Sequence, residues 1–128
     1  MRFQMDAPRT QPLRGSGARQ LLQRALNNAD RAIAEEANRI IHSHLGQVMK
    51  HPTGEYLSRV VVVRGPDGYY VWDRRSVKGP WLETGRRRGR PTRFRGYAAF
   101  RRAEQQMQRK AKQIAEREIN KELRRSGL

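Results

Sequence analysis

Residues 60–72 read Val60-Val61-Val62-Val63-Arg64-Gly65-Pro66-Asp67-Gly68-Tyr69-Tyr70-Val71-Trp72, and this stretch decides the fold class. Four consecutive β-branched residues suit a pleated, half-buried strand, and the run is too short for an independent helix. Gly65-Pro66-Asp67-Gly68 has the chemistry of a tight turn, with proline presetting φ and the glycines free of a Cβ. Tyr69-Tyr70-Val71-Trp72 is again strand-forming. Together the segments predict a β-hairpin.

Upstream the period is helical. Over residues 17–49, Leu22, Leu26, Ala29, Ile33, Ala37, Ile40, His44 and Val48 recur at steps of three and four and form one apolar stripe. Ser16 is placed to cap that helix, and His51-Pro52-Thr53-Gly54 closes it. Pro8, Pro12 and Gly15 fall before it, so residues 1–16 are expected to be a flexible arm. Downstream, residues 77–83 are expected to give a third short strand, interrupted by Gly79-Pro80. Residues 85–96 hold six Arg and three Gly in twelve positions and predict an exposed loop. A second amphipathic helix over 97–125 carries Phe100, Ala103, Met107, Ala111 and Ile114, with Ile119 and Leu123 continuing the stripe. No internal repeat is visible. The expectation is a single α+β domain over 17–128, in which a small antiparallel sheet (hairpin plus short strand) packs with two long amphipathic helices. So small a sheet leaves edges, which favours oligomerisation.

The composition narrows the function. The chain has 128 residues, room for one domain, and 28 Lys+Arg against 12 Asp+Glu give a net charge of +16, one per eight residues. Such a chain repels itself unless nucleic acid or an acidic protein surface lies nearby. With no cysteine, disulfides, thiolate zinc sites and a cysteine nucleophile are excluded. No apolar run approaches the roughly 20 residues of a membrane span, and residues 1–19 lack the apolar segment of a secretory signal. The expectation is a soluble, very basic small protein that is not an enzyme and uses no cofactor.

Individual residues agree with that. His42 and His44 stand two apart on a helix and point in different directions, and no carboxylate cluster joins them or His51 in a metal set. Ser43, Ser58 and Ser76 lie in no nucleophile elbow, and residues 85–89 do not form a phosphate-binding loop. The distinctive feature is basic: no acid stands between Glu83 and Glu104, whereas Arg86, Arg87, Arg88, Arg90, Arg93 and Arg95 crowd the loop and Arg101 and Arg102 follow. Guanidinium groups stay charged and bind phosphate or carboxylate bidentately. Phe94 and Tyr97 are interleaved with them, as stacking partners would be. A solvated loop and a loop docked on an acidic protein are the ordinary alternatives to a nucleic-acid contact, and no DNA-reading motif accompanies the charge. Trp81 and Leu82, after the Gly79-Pro80 kink, are expected to anchor the loop's base on the core, and Glu83 to brace it by an ion pair.

Gly79-Pro80-Trp81-Leu82-Glu83, the Gly/Arg loop, Thr92-Arg93-Phe94-Arg95-Gly96-Tyr97, Phe100-Arg101-Arg102 and Ile114-Ala115-Glu116 resemble a family of small neck proteins of long-tailed bacteriophages. These are the head–tail joining, head–tail connector or tail-completion proteins, and the resemblance is to the version seen in phages of actinobacteria. His51-Pro52-Thr53-Gly54 with Tyr56 and Ser58-Arg59 fits the same version. The resemblance spans about residues 20–125. It departs at Lys78, where relatives often carry an aromatic, and in the richer arginine content of the loop.

The resemblance implies a non-enzymatic virion protein, made late in infection in the host cytoplasm and placed at the head–tail interface. There it would form a ring of six or twelve copies that touches head-closure and tail proteins and, non-specifically, packaged DNA. Arg86, Arg87, Arg88, Arg90, Arg93 and Arg95 would make the partner or DNA contacts. Trp81, Leu82, Glu83, Phe94 and Tyr97 would fix the loop. Two alternatives stay open: a basic nucleic-acid-binding accessory protein acting without a ring, and the tail terminator itself.

Overall fold

The computed structural model describes residues 2–4, 16–49, 54–76, 78–87 and 90–127, with only the backbone at 16, 87 and 91. The fold class is α+β, two long helices with a small antiparallel sheet. The hairpin forms where the sequence places it. Strands β2 (Val61–Gly65) and β3 (Gly68–Trp72) pair antiparallel around Pro66-Asp67, from Gly65 opposite Gly68 to Val61 opposite Trp72. Val60 and Val71 turn into the core, and the valines of β2 are half-buried.

The third strand is not the expected one. It is β1 (Arg2–Phe3), which pairs antiparallel with β3 and places β3 at the centre of the sheet. Phe3 is buried in the core, and the Arg2 guanidinium lies over the Tyr70 ring, 4.7 Å from its centroid. The expected arm is therefore tied down at residues 2–3, and the rest of it, from 5 to 15, lies outside the described residues. Residues 79–84 form a short helix, α3 (Gly79–Thr84), instead of the expected strand. The physical reason is Pro80. A proline in a first helical turn has no hydrogen bond to lose and its fixed φ already suits the helix, and the Thr84 hydroxyl closes the turn on the Pro80 carbonyl at 2.8 Å.

Two helices carry the rest of the fold. Helix α1 (Ser16–Val48) follows β1, and helix α4 (Ala99–Arg125) ends the described chain; a single turn, α2 (Glu55–Arg59), leads into β2. Helices α1 and α4 run antiparallel. Arg24 pairs with Glu122 at 3.0 Å, Glu36 with Lys110 at 3.6 Å, and the His44 Nε2 reaches the Tyr97 carbonyl at 3.0 Å. Ala29, Ala37 and Ala103 are fully buried, and such small residues let packed helices approach closely. The buried stripe of α1 is wider than its sequence suggested, adding Leu21, Ala25, Ala34, Ile41 and Leu45. The cause is that α1 packs against α4 on one side and against the sheet on another, so it buries more than one face. On α4 the expected Phe100, Ala103, Met107, Ala111 and Ile114 are all buried, while Ile119 and Leu123 are half-buried. Among the described residues, no helix is long and apolar enough to cross a membrane.

Candidate functional site

Helix α3, the arginine-rich segment and the start of α4 form one unit. The arginine-rich segment is not wholly irregular: β4 (Arg86–Arg87) and β5 (Arg90–Pro91) make a minimal antiparallel ladder. Its base is closed by backbone bonds. The Tyr97 N–H donates to the Leu82 carbonyl at 2.7 Å, the Ala98 N–H to the Glu83 carbonyl at 3.1 Å, and the Thr92 N–H to the Gly85 carbonyl at 3.2 Å. The Thr92 hydroxyl lies 2.6 Å from the Gly85 carbonyl and 3.1 Å from that of Phe94.

Two glycines permit this closure. Gly85, with φ +73°, ends α3, and Gly96, with φ +84°, turns the returning chain. A Cβ on Gly85 would land on the Phe94 carbonyl oxygen, and one on Gly96 on the Glu83 carbonyl oxygen. The two passes of chain cross where neither has a side chain.

Glu83 holds the junction, but not as expected. It makes no ion pair among the described residues; its buried carboxylate instead accepts from the Phe100 N–H at 2.9 Å and the Arg101 N–H at 3.1 Å. Those are free donors of the first turn of α4. Ala98, the N-cap residue, has no side chain that could satisfy them and sits in the left-handed region at φ 50°. An acid from another element supplies the cap, and its charge suits the positive end of the helix dipole.

The expected anchors divide. Leu82 is in the core, whereas Trp81 is 37% exposed, the exposed large apolar side chain among the described residues. Trp81 packs on Phe94, centroids 4.8 Å apart at a 45° tilt, and Phe94 meets Tyr97 edge-on at 4.8 Å. Phe94 and Tyr97 are half-buried. Arg86, Arg90, Arg93 and Arg95 are exposed and have no ion-pair partner among the described residues. Arg88 lies outside the described residues, as does His51, and for Arg87 only the backbone is described.

Two histidines serve the scaffold. A carbonyl oxygen only accepts, so the Nε2–H of His42 donates to Val60 at 2.7 Å and that of His44 to Tyr97 at 3.0 Å. No group of three or more metal-binding side chains comes together among the described residues.

Sequence reasoning missed the support beneath α3. Asp73 is fully buried, receives the Tyr56 hydroxyl at 3.2 Å, and fills the place where a Gly79 side chain would be. Just after it, Arg74 and Arg75 both have left-handed backbones, φ 53° and 55°, in a turn closed by the Ser76 N–H on the Asp73 carbonyl at 3.2 Å. The only signal in the sequence was an acid directly after a strand.

The Tyr56 phenol is pushed well above its ordinary value, first by burial and then by the Asp73 charge, with smaller contributions from its bond to Asp73 and from Glu83. A phenol whose folded value lies above its unfolded value of about 10 supports the fold below pH 10 and withdraws that support as pH rises further. Tyr56→Phe is therefore expected to lessen the loss of stability between about pH 8 and pH 11. Denaturant titrations of both proteins at the two pH values check this, and an unchanged difference would refute it.

Compared with family models, curated proteins and solved structures, the chain gives no significant match.

Proposed function

We propose that this chain is a structural protein of a bacteriophage neck, joining the DNA-filled head to the tail through ring-forming protein–protein contacts. The observation that carries the reading is the basic hairpin itself. Arg86, Arg90, Arg93 and Arg95 are exposed and have no ion-pair partner among the described residues, while Glu83, Gly85 and Gly96 fasten the hairpin's base to α3 and α4. The same stretch, Gly79-Pro80-Trp81-Leu82-Glu83 through Tyr97, carries the resemblance to neck proteins, so the motif residues have a joint physical purpose in presenting that hairpin. Attraction between basic and acidic rings would steer docking in an ordered assembly.

Electron microscopy of lysates from a phage lacking this gene tests the reading. Filled heads beside separate tails are expected. Intact particles would remove the proposal, and tails of uncontrolled length would move the chain to the tail-terminator role. Replacing Arg86, Arg87 and Arg88 with Glu is expected to block joining while the purified domain keeps its helical circular dichroism. Normal infectious yield from that mutant would refute the role of the hairpin.

A second reading, a basic accessory protein on nucleic acid without a ring, is favoured by the unpaired arginines alone. It requires DNA affinity that persists at physiological salt, with a log–log salt slope reflecting several phosphates.

A further inference from the structure

Helix α3 is six residues long, so its ends are only about 9 Å apart. Before it stands the turn of Arg74 and Arg75, and after it the hairpin with Arg86 and Arg90; Trp81 lies between. All four arginines are exposed. The turn is informative because a left-handed backbone costs a non-glycine residue on the order of 1–2 kcal/mol, and here two successive arginines adopt it over a buried aspartate. Glycine or asparagine would suit the backbone better. What glycine would lack is the pair of guanidinium groups, and strain of this kind marks positions kept for what the side chains do.

We infer that α3 with its two flanking arginine clusters is a docking surface for an acidic protein, with Trp81 as the anchor that enters an apolar pocket of that partner. The inference rests on the connector reading and names the kind of partner that reading requires.

Three observations select the occupant. Trp and Arg are the side chains that dominate the centres of protein–protein interfaces, and an exposed tryptophan with exposed arginines just before and just after its short helix has that composition. A single-stranded nucleic acid needs successive free aromatic faces, but Phe94 and Tyr97 are taken up in packing on Trp81 and on each other, which leaves one exposed ring. A second copy of this chain carries the same net charge of +16, so two copies repel each other overall, and its exposed acids Asp67, Glu104 and Glu116 are outnumbered by the bases. The partner is therefore a different protein, rich in carboxylates. The bonds at the hairpin's base order this surface during folding, so less ordering remains for binding.

The test uses the full chain and three probes at physiological salt: a helical peptide with leucines on one face and glutamates on the others, polyglutamate, and single-stranded oligothymidylate. The leucine–glutamate peptide is expected to bind at least tenfold tighter than either other probe. Trp81→Ala, an exposed position that leaves the core intact, is expected to weaken it at least tenfold. Arg74→Gly with Arg75→Gly gives the sharper readout, because it separates binding from folding. Relief of the left-handed strain should raise the melting temperature by about 3 °C or more while peptide affinity falls.

Tighter binding of oligothymidylate than of the peptide would overturn the proposal in favour of nucleic acid. Equal binding of polyglutamate, or an unchanged affinity in Trp81→Ala, would remove Trp81 as the anchor. No peptide binding at all would end the proposal. Because particle joining is read separately in lysates, peptide binding together with intact particles from the gene-deleted phage would retain this surface and discard the connector.

Discussion

Glu83→Ala is expected to destabilise the domain by about 3 kcal/mol, a large effect for a single side chain. The variant loses two hydrogen bonds to a charged acceptor, each worth about 1.5–3 kcal/mol, and leaves the Phe100 and Arg101 amides at the start of α4 without acceptors. Part of that loss is offset because a carboxylate no longer has to be buried. Glu83→Gln keeps the shape and one carbonyl acceptor but removes the charge, and about half the loss is expected. Urea denaturation of the three proteins checks the order. Hydrogen exchange should place the effect at the first turn of α4 and the Tyr97–Leu82 bond. A loss below about 0.5 kcal/mol in Glu83→Ala would mean that water caps the helix equally well.

Gly85→Ala is expected to cost more than about 3 kcal/mol, because two penalties fall together. The first is the left-handed backbone, φ +73°. The second is the new methyl group, which falls on the Phe94 carbonyl oxygen. Because the obstacle is backbone, no rotamer change relieves it, and the returning chain must leave its place on α3. Gly54 is the built-in control. Its φ is +81°, but nothing lies within 4 Å of where its Cβ would be. Gly54→Ala should thus show the strain alone, about 1 kcal/mol. The difference between the two variants, read from thermal or urea unfolding, isolates the chain crossing. Equal losses would mean that the crossing tolerates a methyl group.

Much of the fold was legible because it is periodic. The valine run with its Gly-Pro-Asp-Gly turn gave the hairpin, and the three-and-four spacing gave both helices within two residues of their ends. What escaped reading lacks a period. Arg2–Phe3 is a strand only because β3 offers it an edge, and two residues carry no alternation. Gly79-Pro80 is compatible with a kinked strand and with a helix start, and only the fit over Asp73 selects the helix. At the candidate site the arginines and aromatics were visible as residue types. Their division of labour was not: Leu82 inward, Trp81 outward, and Glu83 serving an amide pair rather than a guanidinium. A cap supplied by a residue seventeen positions before its recipient leaves no local signature.

The antiparallel pairing of α1 and α4 also governs when the protein can fold. Arg24 and Glu122 stand 98 residues apart, so loop closure over most of the chain precedes that contact. During synthesis the apolar side of α1 emerges long before α4 exists to cover it, while the β2–β3 hairpin can form from neighbouring residues alone. Maturation of the core is thus a late event, completed only once the strongly basic α4 has been released. Until then the nascent chain exposes a greasy helix that a chaperone would hold.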